Sequence, residues 1–213
     1  MSEYRLAEGL YLHPTPAGAY YSASSKEPDD FRQFLRALLV QPNSPSLDIK
    51  QLKQLMAMDN TDDCLYLLHE CQQMGFIQGI DQPLKSPVGA LEQILPSLLS
   101  KVCQNDKALL ADSEGFCLAS HGFSQEVADE LSVIGAEIAT IHERRSGLLL
   151  KDLNLDSHAW ALVNAPGNSQ AGFWPLFIGD TRFLIAILGI PHFNQPEFVE
   201  LVWTLSTRYA TDQ

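Results

Sequence analysis

The sequence predicts an α+β protein in which a small, mainly helical part precedes a larger sheet covered by helices. The first observation is a tight turn that ends at Gly115 between two short apolar runs, which is typical of a β-hairpin. The second is a long amphipathic helix pattern that follows this hairpin without a linker. The third is a polar stretch with Pro83 and Pro87, which breaks the periodicity on both sides. We therefore expect two domains, residues 1–84 and residues 85–213.

The first domain opens with short strands and a helix start. Residues 10–12 and 19–22 have the composition of short strands on either side of a corner that contains two prolines. Pro28, Asp29 and Asp30 then predict the start of a helix, because proline fits the first turn and acidic side chains suit its positive end.

Two further helices and a strand complete this domain. Ser46 is a candidate N-cap for the second helix, and Asn60 or Thr61 is a candidate N-cap for the third. Gly75 supplies a stop for the third helix, and residues 76–80 have the composition of a strand. Three short helices followed by a strand resemble a winged helix, a fold that can bind DNA through its third helix.

The charge of the third predicted helix argues against DNA. Residues 61–73 contain no Lys or Arg, and their three carboxylates would repel the phosphates of a duplex. The net charge of −12 gives no positive field elsewhere. We expect a protein-binding or architectural role for this domain and no nucleic acid as a partner.

The central helix of the second domain presents two faces. Ser124 is its candidate N-cap. One face is an apolar stripe formed by Val127, Leu131, Ile134, Ile138 and Ile141. Beside it runs a line of small residues, which we call the small line: Ala128, Ser132, Gly135 and Ala139. Small side chains let another backbone approach closely, so we expect the sheet on one side of this helix and a second helix on the other.

We expect this helix to end near Arg144 and Arg145, where cations interact favourably with the helix dipole. The alternative is functional, with one guanidinium directed at a partner's nucleotide. A short apolar run, residues 148–150, and a polar stretch, residues 151–157, follow.

Three strands and a helix are predicted to close the chain. The strands are residues 158–163, 173–178 and 183–190. The helix follows a capping box that starts at Asn194. Within the second strand, Phe173 and Trp174 either anchor a partner or pack in the core, and Pro175 removes a ladder hydrogen bond, so we expect either a bulge there or a strand that starts at Leu176.

Several function classes lack their sequence signals. No glycine-rich phosphate loop, no G-x-S-x-G elbow and no H-E-x-x-H helix occurs, so we expect no enzyme and no cofactor. The four cysteines form no C-x-x-C pair, and we expect no metal site. With no membrane-length apolar run and no secretory signal, the sequence predicts a cytoplasmic protein.

The element order of residues 88–210 is helix, strand, strand, long helix, three strands and helix. With its first hairpin at residues 110–115 and its last strand at residues 183–188, it resembles the roadblock/dynein light chain family. The resemblance implies a five-stranded antiparallel sheet with the long helix on one face and the terminal helices on the other. It also implies a homodimer formed by the edge strand after the long helix and by the two long helices.

The positions that match this implied interface are the small line and the edge strand around His158, Trp160 and Leu162. His158 and Trp160 are also candidates for a ligand pocket or for core packing. We therefore expect a non-enzymatic regulatory or scaffold protein that homodimerises and binds a protein partner, and the resemblance brings a small Ras-like GTPase into consideration. The alternatives are a transcription regulator that uses the first domain and a small-molecule sensor that uses the sheet face.

Overall fold

The computed structural model describes residues 5–103, 107–153 and 157–210, with residues 146–153 described by their backbone alone. The chain forms an α+β structure with a two-stranded sheet near its N-terminus and a five-stranded antiparallel sheet in its C-terminal part. The predicted antiparallel sheet between layers of helices is confirmed.

The N-terminal part contains four helices between two strands. These elements are β1 (Tyr11–Pro14), α1 (Pro16–Ala23), α2 (Asp30–Leu39), α3 (Ile49–Met56), α4 (Thr61–Gln73) and β2 (Ile77–Ile80). The strands β1 and β2 pair antiparallel. The three predicted helices are present as α2, α3 and α4, and their buried faces form one core that includes Phe34, Leu52 and Cys64. The winged-helix interpretation of this part stays a prediction.

The strand predicted at residues 19–22 is wrong, because these residues belong to α1. Pro16 occupies the first turn of α1, where its missing N–H removes no helical hydrogen bond. Thr15 is the N-cap, and its hydroxyl accepts a hydrogen bond from the N–H of Gly18 at 3.1 Å. The corner with two prolines therefore starts a helix.

The predicted cap at Ser46 is also wrong. Asp48 caps α3, and its carboxylate accepts from the N–H of Gln51 at 2.9 Å. The hydroxyl of Ser46 donates to the Asp48 carboxylate at 2.6 Å. This hydrogen bond is the largest cause that lowers the pKa of Asp48. Asn60 caps α4, as one of the two predicted alternatives.

The C-terminal part supplies the larger sheet and its covering helices. Its elements are α5 (Leu91–Lys101), β3 (Ala108–Ala111), β4 (Cys117–His121), α6 (Gln125–Leu153), β5 (Trp160–Val163), β6 (Ser169–Ile178), β7 (Thr181–Leu188) and α7 (Pro196–Tyr209). The strand order is β4-β3-β7-β6-β5, so β4 and β5 are the edges. α6 packs on one face of this sheet, and α5 and α7 pack on the other.

The predicted hairpin turn between β3 and β4 is confirmed. The carboxylate of Asp112 accepts from the N–H groups of Glu114 and Phe116, each at 2.9 Å. Gly115 has φ +91, a conformation that glycine adopts without a Cβ clash.

Pro175 lies inside β6, opposite Leu184 of β7, and the register shows no shift there. Both predicted alternatives, a bulge or a later strand start, are therefore wrong. The pairing of β5 with β6 ends at the pair of Trp160 and Phe173, so at Pro175 β6 has a neighbouring strand on one side only. A proline is tolerated in a strand where one side forms no backbone hydrogen bonds with a neighbouring strand.

The predicted end of the long helix at Arg145 is wrong, because α6 continues to Leu153. Arg144 and Arg145 therefore lie inside the helix and not in its last turn. The predicted interaction of these two cations with the C-terminal end of the helix dipole is therefore wrong. The predicted apolar run at residues 148–150 falls within α6, and its side chains lie outside the described part. Residues 154–156 of the predicted polar stretch also lie outside it. None of the helices in the described ranges is both long and apolar enough to cross a bilayer.

Packing crosses the predicted domain boundary at residue 84. Ala19 and Ala23 of α1 are fully buried in the core that includes Phe198 of α7. The indole N–H of Trp203 in α7 donates to the carbonyl oxygen of Gln41 at 2.8 Å. The division into domains stays a prediction, and the two parts share a core in this structure.

Candidate interaction surface

The small line of α6 faces the sheet of its own chain. Ala128 and Ser132 are 0% exposed and Ala139 is 1% exposed. A Cβ added to Gly135 would lie 2.1 Å from Cδ2 of Leu184 in β7. The structure thus places all four residues inside the protomer, where they have no free surface to offer a second helix.

The sheet explains why small residues are needed there. Phe173 of β6 and Leu184 of β7 point toward α6 and are each 1% exposed. Because bulky side chains already fill the space above the strands, the helix approaches closely only where its own side chains are small.

The apolar stripe of α6 lies instead at the outer flank of the helix. Three of its members are exposed large apolar residues spaced seven apart, which we call the α6 ridge: Val127, Ile134 and Ile141, at 43%, 46% and 54% exposure. Residues at this spacing share one helix face, as in helices that pair through heptads. Leu131 and Ile138, the other two members of the stripe, are half-buried. The small line, and not the exposed part of the apolar stripe, therefore lies against the sheet.

Charged residues are distributed unevenly along the exposed side of α6. Its first half carries four exposed carboxylates: Glu126, Asp129, Glu130 and Glu137. Its second half carries the exposed Arg144 and Arg145. The helix surface is therefore acidic toward its N-terminus and basic around these two arginines.

The β5 strand offers a second open feature beside α6. Among the described residues β5 pairs only with β6, so its outer side presents unpaired backbone groups. Leu162 and Val163 are 55% and 61% exposed. The predicted interface residue Leu162 is thus at the surface.

His158 and Trp160, the other predicted residues of this strand, are half-buried. The Trp160 ring stacks on Phe173 with centroids 5.6 Å apart, and the ring of His142 on α6 lies 6.2 Å from Trp160. The His158 ring lies 5.5 Å from Phe177. These contacts hold β5 against the sheet and against α6. His158 and Trp160 therefore stabilise the position of the edge strand and are only partly exposed for a partner.

These features can be compared with known proteins. No family model matches the chain, and no curated protein matches it. Solved structures do match. The C-terminal part of the chain is similar to roadblock domains. One match is a Roadblock/LC7 domain from Streptomyces avermitilis, 13% identical, which covers 56% of this chain and 93% of that one with a TM-score of 0.37.

Two further matches are MglB structures, and below we call residues 88–210 the roadblock-like part. Myxococcus xanthus MglB is 14% identical over 55% of this chain and 88% of that one, with a TM-score of 0.33. An MglB with a tetrameric arrangement is 18% identical over 58% of this chain and 90% of that one, with a TM-score of 0.33.

The cysteines of the chain do not form a reactive site among the described residues. Burial raises the pKa of Cys71 to about 12, and it also raises the pKa of Cys117. A thiol with a raised pKa is a weak nucleophile at neutral pH. The described ranges hold no group of three or more His, Cys, Asp or Glu side chains arranged to bind a metal ion.

The bulky segment in β6 belongs to the core. Phe173 is buried beneath α6, and Trp174 packs edge-on against Phe193 on the opposite face, with centroids 5.2 Å apart. Of the two predicted roles for these aromatics, the structure shows core packing.

Proposed function

We propose that this protein is a non-enzymatic regulatory or scaffold protein that homodimerises through its roadblock-like part and binds another protein. The observation that carries the proposal is the α6 ridge beside the open edge of β5. Exposed large apolar residues in one row commonly mark a protein interface. A second copy of the chain is the occupant we propose, because a two-fold axis lets one patch cover the same patch on its partner.

The charges of α6 favour an antiparallel pairing of the two helices. With Ile134 near the two-fold axis, Val127 of one copy faces Ile141 of the other. The acidic first half of each helix then lies beside Arg144 and Arg145 of its partner. A parallel pairing would place like charges together, which is unfavourable.

The β5 edge can contribute to the same dimer. Two β5 strands that pair antiparallel across the axis would satisfy their open backbone groups and join the two sheets. The exposed side chains of Leu162 and Val163 would be covered in the same step. We therefore replace the small line with the α6 ridge as the helical part of the proposed interface and retain Leu162.

Replacing Ile134 with Glu tests the proposed dimer. Ile134 is 46% exposed, so the protomer tolerates a charge there, whereas a paired ridge does not. We expect the molar mass in light scattering to fall from about twice the chain mass to 23.6 kDa, with the helical circular dichroism signal unchanged.

Val133→Glu is the matched control. Val133 lies on the same helix and is 49% exposed, but it points about a quarter turn away from Ile134. We expect this variant to keep the mass of the wild-type protein. A wild-type chain that is monomeric at high concentration, or an Ile134→Glu variant that stays dimeric, would contradict the proposed interface.

The proposed protein partner is a small Ras-like GTPase, which rests on the family resemblance of the roadblock-like part. Partners captured from the source cell's lysate with a GTP analogue and with GDP provide the test. We expect a small GTPase to be recovered and its yield to depend on the nucleotide. Recovery of other proteins irrespective of nucleotide would remove the GTPase and leave a scaffold role.

Neither alternative function gains support at the site that the sequence predicted for it. Asp62 and Asp63 of α4 are exposed, so the helix that would enter a DNA groove presents carboxylates. Helices pack on both faces of the larger sheet, so a sensor would not use an open sheet face.

A further inference from the structure

A cleft of about 1320 Å³ opens between the N-terminal helices and the roadblock-like part. One wall is formed by α2 and the end of α3, and the other by α6 and the turn between β6 and β7. The cleft is separate from the α6 ridge and from the β5 edge, so the proposed dimer does not use it.

Arg36 of α2 lines this cleft and is held in a fixed position. Its Nε donates to the carbonyl oxygen of Ser22 at 3.0 Å, and its Nη2 donates to that of Ser25 at 2.6 Å. Among the described residues no carboxylate lies within ion-pair distance of its guanidinium. The neighbouring Arg32 differs, because it is paired with Asp29.

The surroundings of Arg36 disfavour its positive charge on balance. The side chain is half-buried, and burial, followed by the charge of Arg32, lowers the pKa of Arg36, while the more weakly acting charge of Asp29 raises it. A partly desolvated cation with no carboxylate in ion-pair contact is costly, and an anion placed beside it lowers that cost. Two of its donor hydrogens are engaged by carbonyl oxygens, so the remaining ones are available to a ligand.

Two more cations border the cleft. Nζ of Lys26 lies 3.3 Å from Oε1 of Glu143, and Arg182 forms an ion pair with the other oxygen of the same carboxylate. Glu143 is thus shared by two cations, and Asp180 is the other acidic residue in the lining. The lining therefore carries three cations and two carboxylates, a slight positive excess in a chain of net charge −12.

The rest of the lining mixes polar and apolar side chains. Val40, Leu55 and Met56 form its apolar part on the N-terminal side, and Ile178 forms it on the sheet side. A ligand that fits both features carries an anionic group on an apolar body.

We propose that this cleft binds a small organic anion, with its carboxylate or phosphate group at Arg36 and its apolar part against Val40, Leu55 and Ile178. A macromolecule rich in acidic groups fits less well, because the net negative charge of the whole chain would repel it. This ligand site is independent of the proposed dimer and of the GTPase partner.

The test uses phenyl phosphate and benzoate as probes, in titrations of the full-length protein followed by amide NMR. Benzyl alcohol, which has the same apolar body and no charge, is the neutral probe. We expect saturable shifts of the Arg36 and Gln33 amides with at least one anion, and none with benzyl alcohol at equal concentration.

Gln33→Glu is the variant that tests the charge. Gln33 is exposed, lines the cleft and lies one helical turn before Arg36, so the new carboxylate stands beside the anion site without disturbing the core. We expect anion affinity to fall by about threefold to tenfold. Gln72→Glu on the exposed side of α4 makes the same charge change away from the cleft, and we expect wild-type affinity.

The proposal is overturned by any of three results. The first is that neither anion produces saturable shifts at Arg36 and Gln33. The second is that Gln33→Glu and Gln72→Glu bind equally well. The third is that an acidic peptide binds while both small anions fail. Tighter binding of phenyl phosphate than of benzoate would identify the ligand's anionic group as a phosphate, and the opposite order would identify it as a carboxylate.

Discussion

At Gly135 of α6, a single methyl group would meet Cδ2 of Leu184 at 2.1 Å and Cδ1 of Phe173 at 3.3 Å. Leu184 is 1% exposed, so its side chain has little room to move away. A glycine inside a helix lowers helix stability by about 1 kcal/mol relative to alanine. At this position close packing against the sheet compensates that loss.

We expect Gly135→Ala to destabilise the protein by about 1 kcal/mol. Overpacking a tight core costs about 1–3 kcal/mol, which exceeds the gain in helix propensity of about 1 kcal/mol. Chemical denaturation of the variant and the wild type measures the difference in the free energy of unfolding.

The Leu184→Ala background supplies the control for this effect. Removing the leucine side chain makes space for the new methyl group, so there Gly135→Ala should stabilise by up to about 1 kcal/mol. Equal effects in both backgrounds would show that the clash with Leu184 is not the cause. The same geometry implies that a bulky charged residue at Gly135 would unfold the protomer, and so would not report on a dimer.

At the scale of elements, α6 shows why an amphipathic pattern does not determine which face of a helix packs on the sheet. Its apolar stripe and its small line are neighbouring faces, and either one is able to pack on a sheet. The stripe has the larger apolar area, which favours its burial by the hydrophobic effect alone. The shape of the sheet nevertheless places the small line against the strands, because Phe173 and Leu184 leave room only for small residues.

The ends of other elements depend on local chemistry and were predicted more closely. The hairpin turn at Asp112 and Gly115 and the cap at Asn60 each use hydrogen bonds between residues a few positions apart. The start of α1 at Pro16 is equally local, but its sequence was interpreted as a corner between strands.

At the scale of the whole molecule, the N-terminal and roadblock-like parts share buried contacts. His13 of β1 is 8% exposed, its ring lies 5.5 Å from that of Trp203 in α7, and its Nδ1 lies 3.4 Å from the hydroxyl of Ser44. Burial lowers the pKa of His13 below its ordinary value of 6.5. The folded chain therefore binds a proton at this residue less readily than the unfolded chain.

This difference predicts a loss of stability in mild acid. The contribution of neutral His13 is fully present above the unfolded pKa of about 6.5 and is lost as pH falls below it toward the lowered folded pKa. We expect the melting temperature of the wild type to fall between about pH 7 and pH 5 more steeply than that of His13→Phe, which keeps a ring against Trp203 and cannot be protonated. Parallel pH profiles for the two proteins would contradict this role of His13.

The candidate ligand cleft is also a property of the whole molecule. Arg36, Glu143 and Arg182 lie far apart in the sequence and line one cleft only because the tertiary fold brings α2, α6 and the end of the sheet around it. No spacing or motif connects them, so the sequence offered no signal for this site. The predicted residues Trp160 and Leu162 were placed on one strand correctly, because a strand is a local feature, whereas His158 lies two residues before β5 begins.

By itself, the sequence determined the helices α2 to α4, the hairpin, the order of elements in the roadblock-like part and the absence of basic residues in α4. All of these follow from periodicity, capping and charge within short segments, where neighbours in sequence are neighbours in space. Only the tertiary structure decided which face of α6 meets the sheet, how α1 joins the C-terminal core, and which cations border the cleft. These outcomes depend on shape and distance between segments that are remote in sequence, and close packing selects among faces that the pattern alone leaves equivalent.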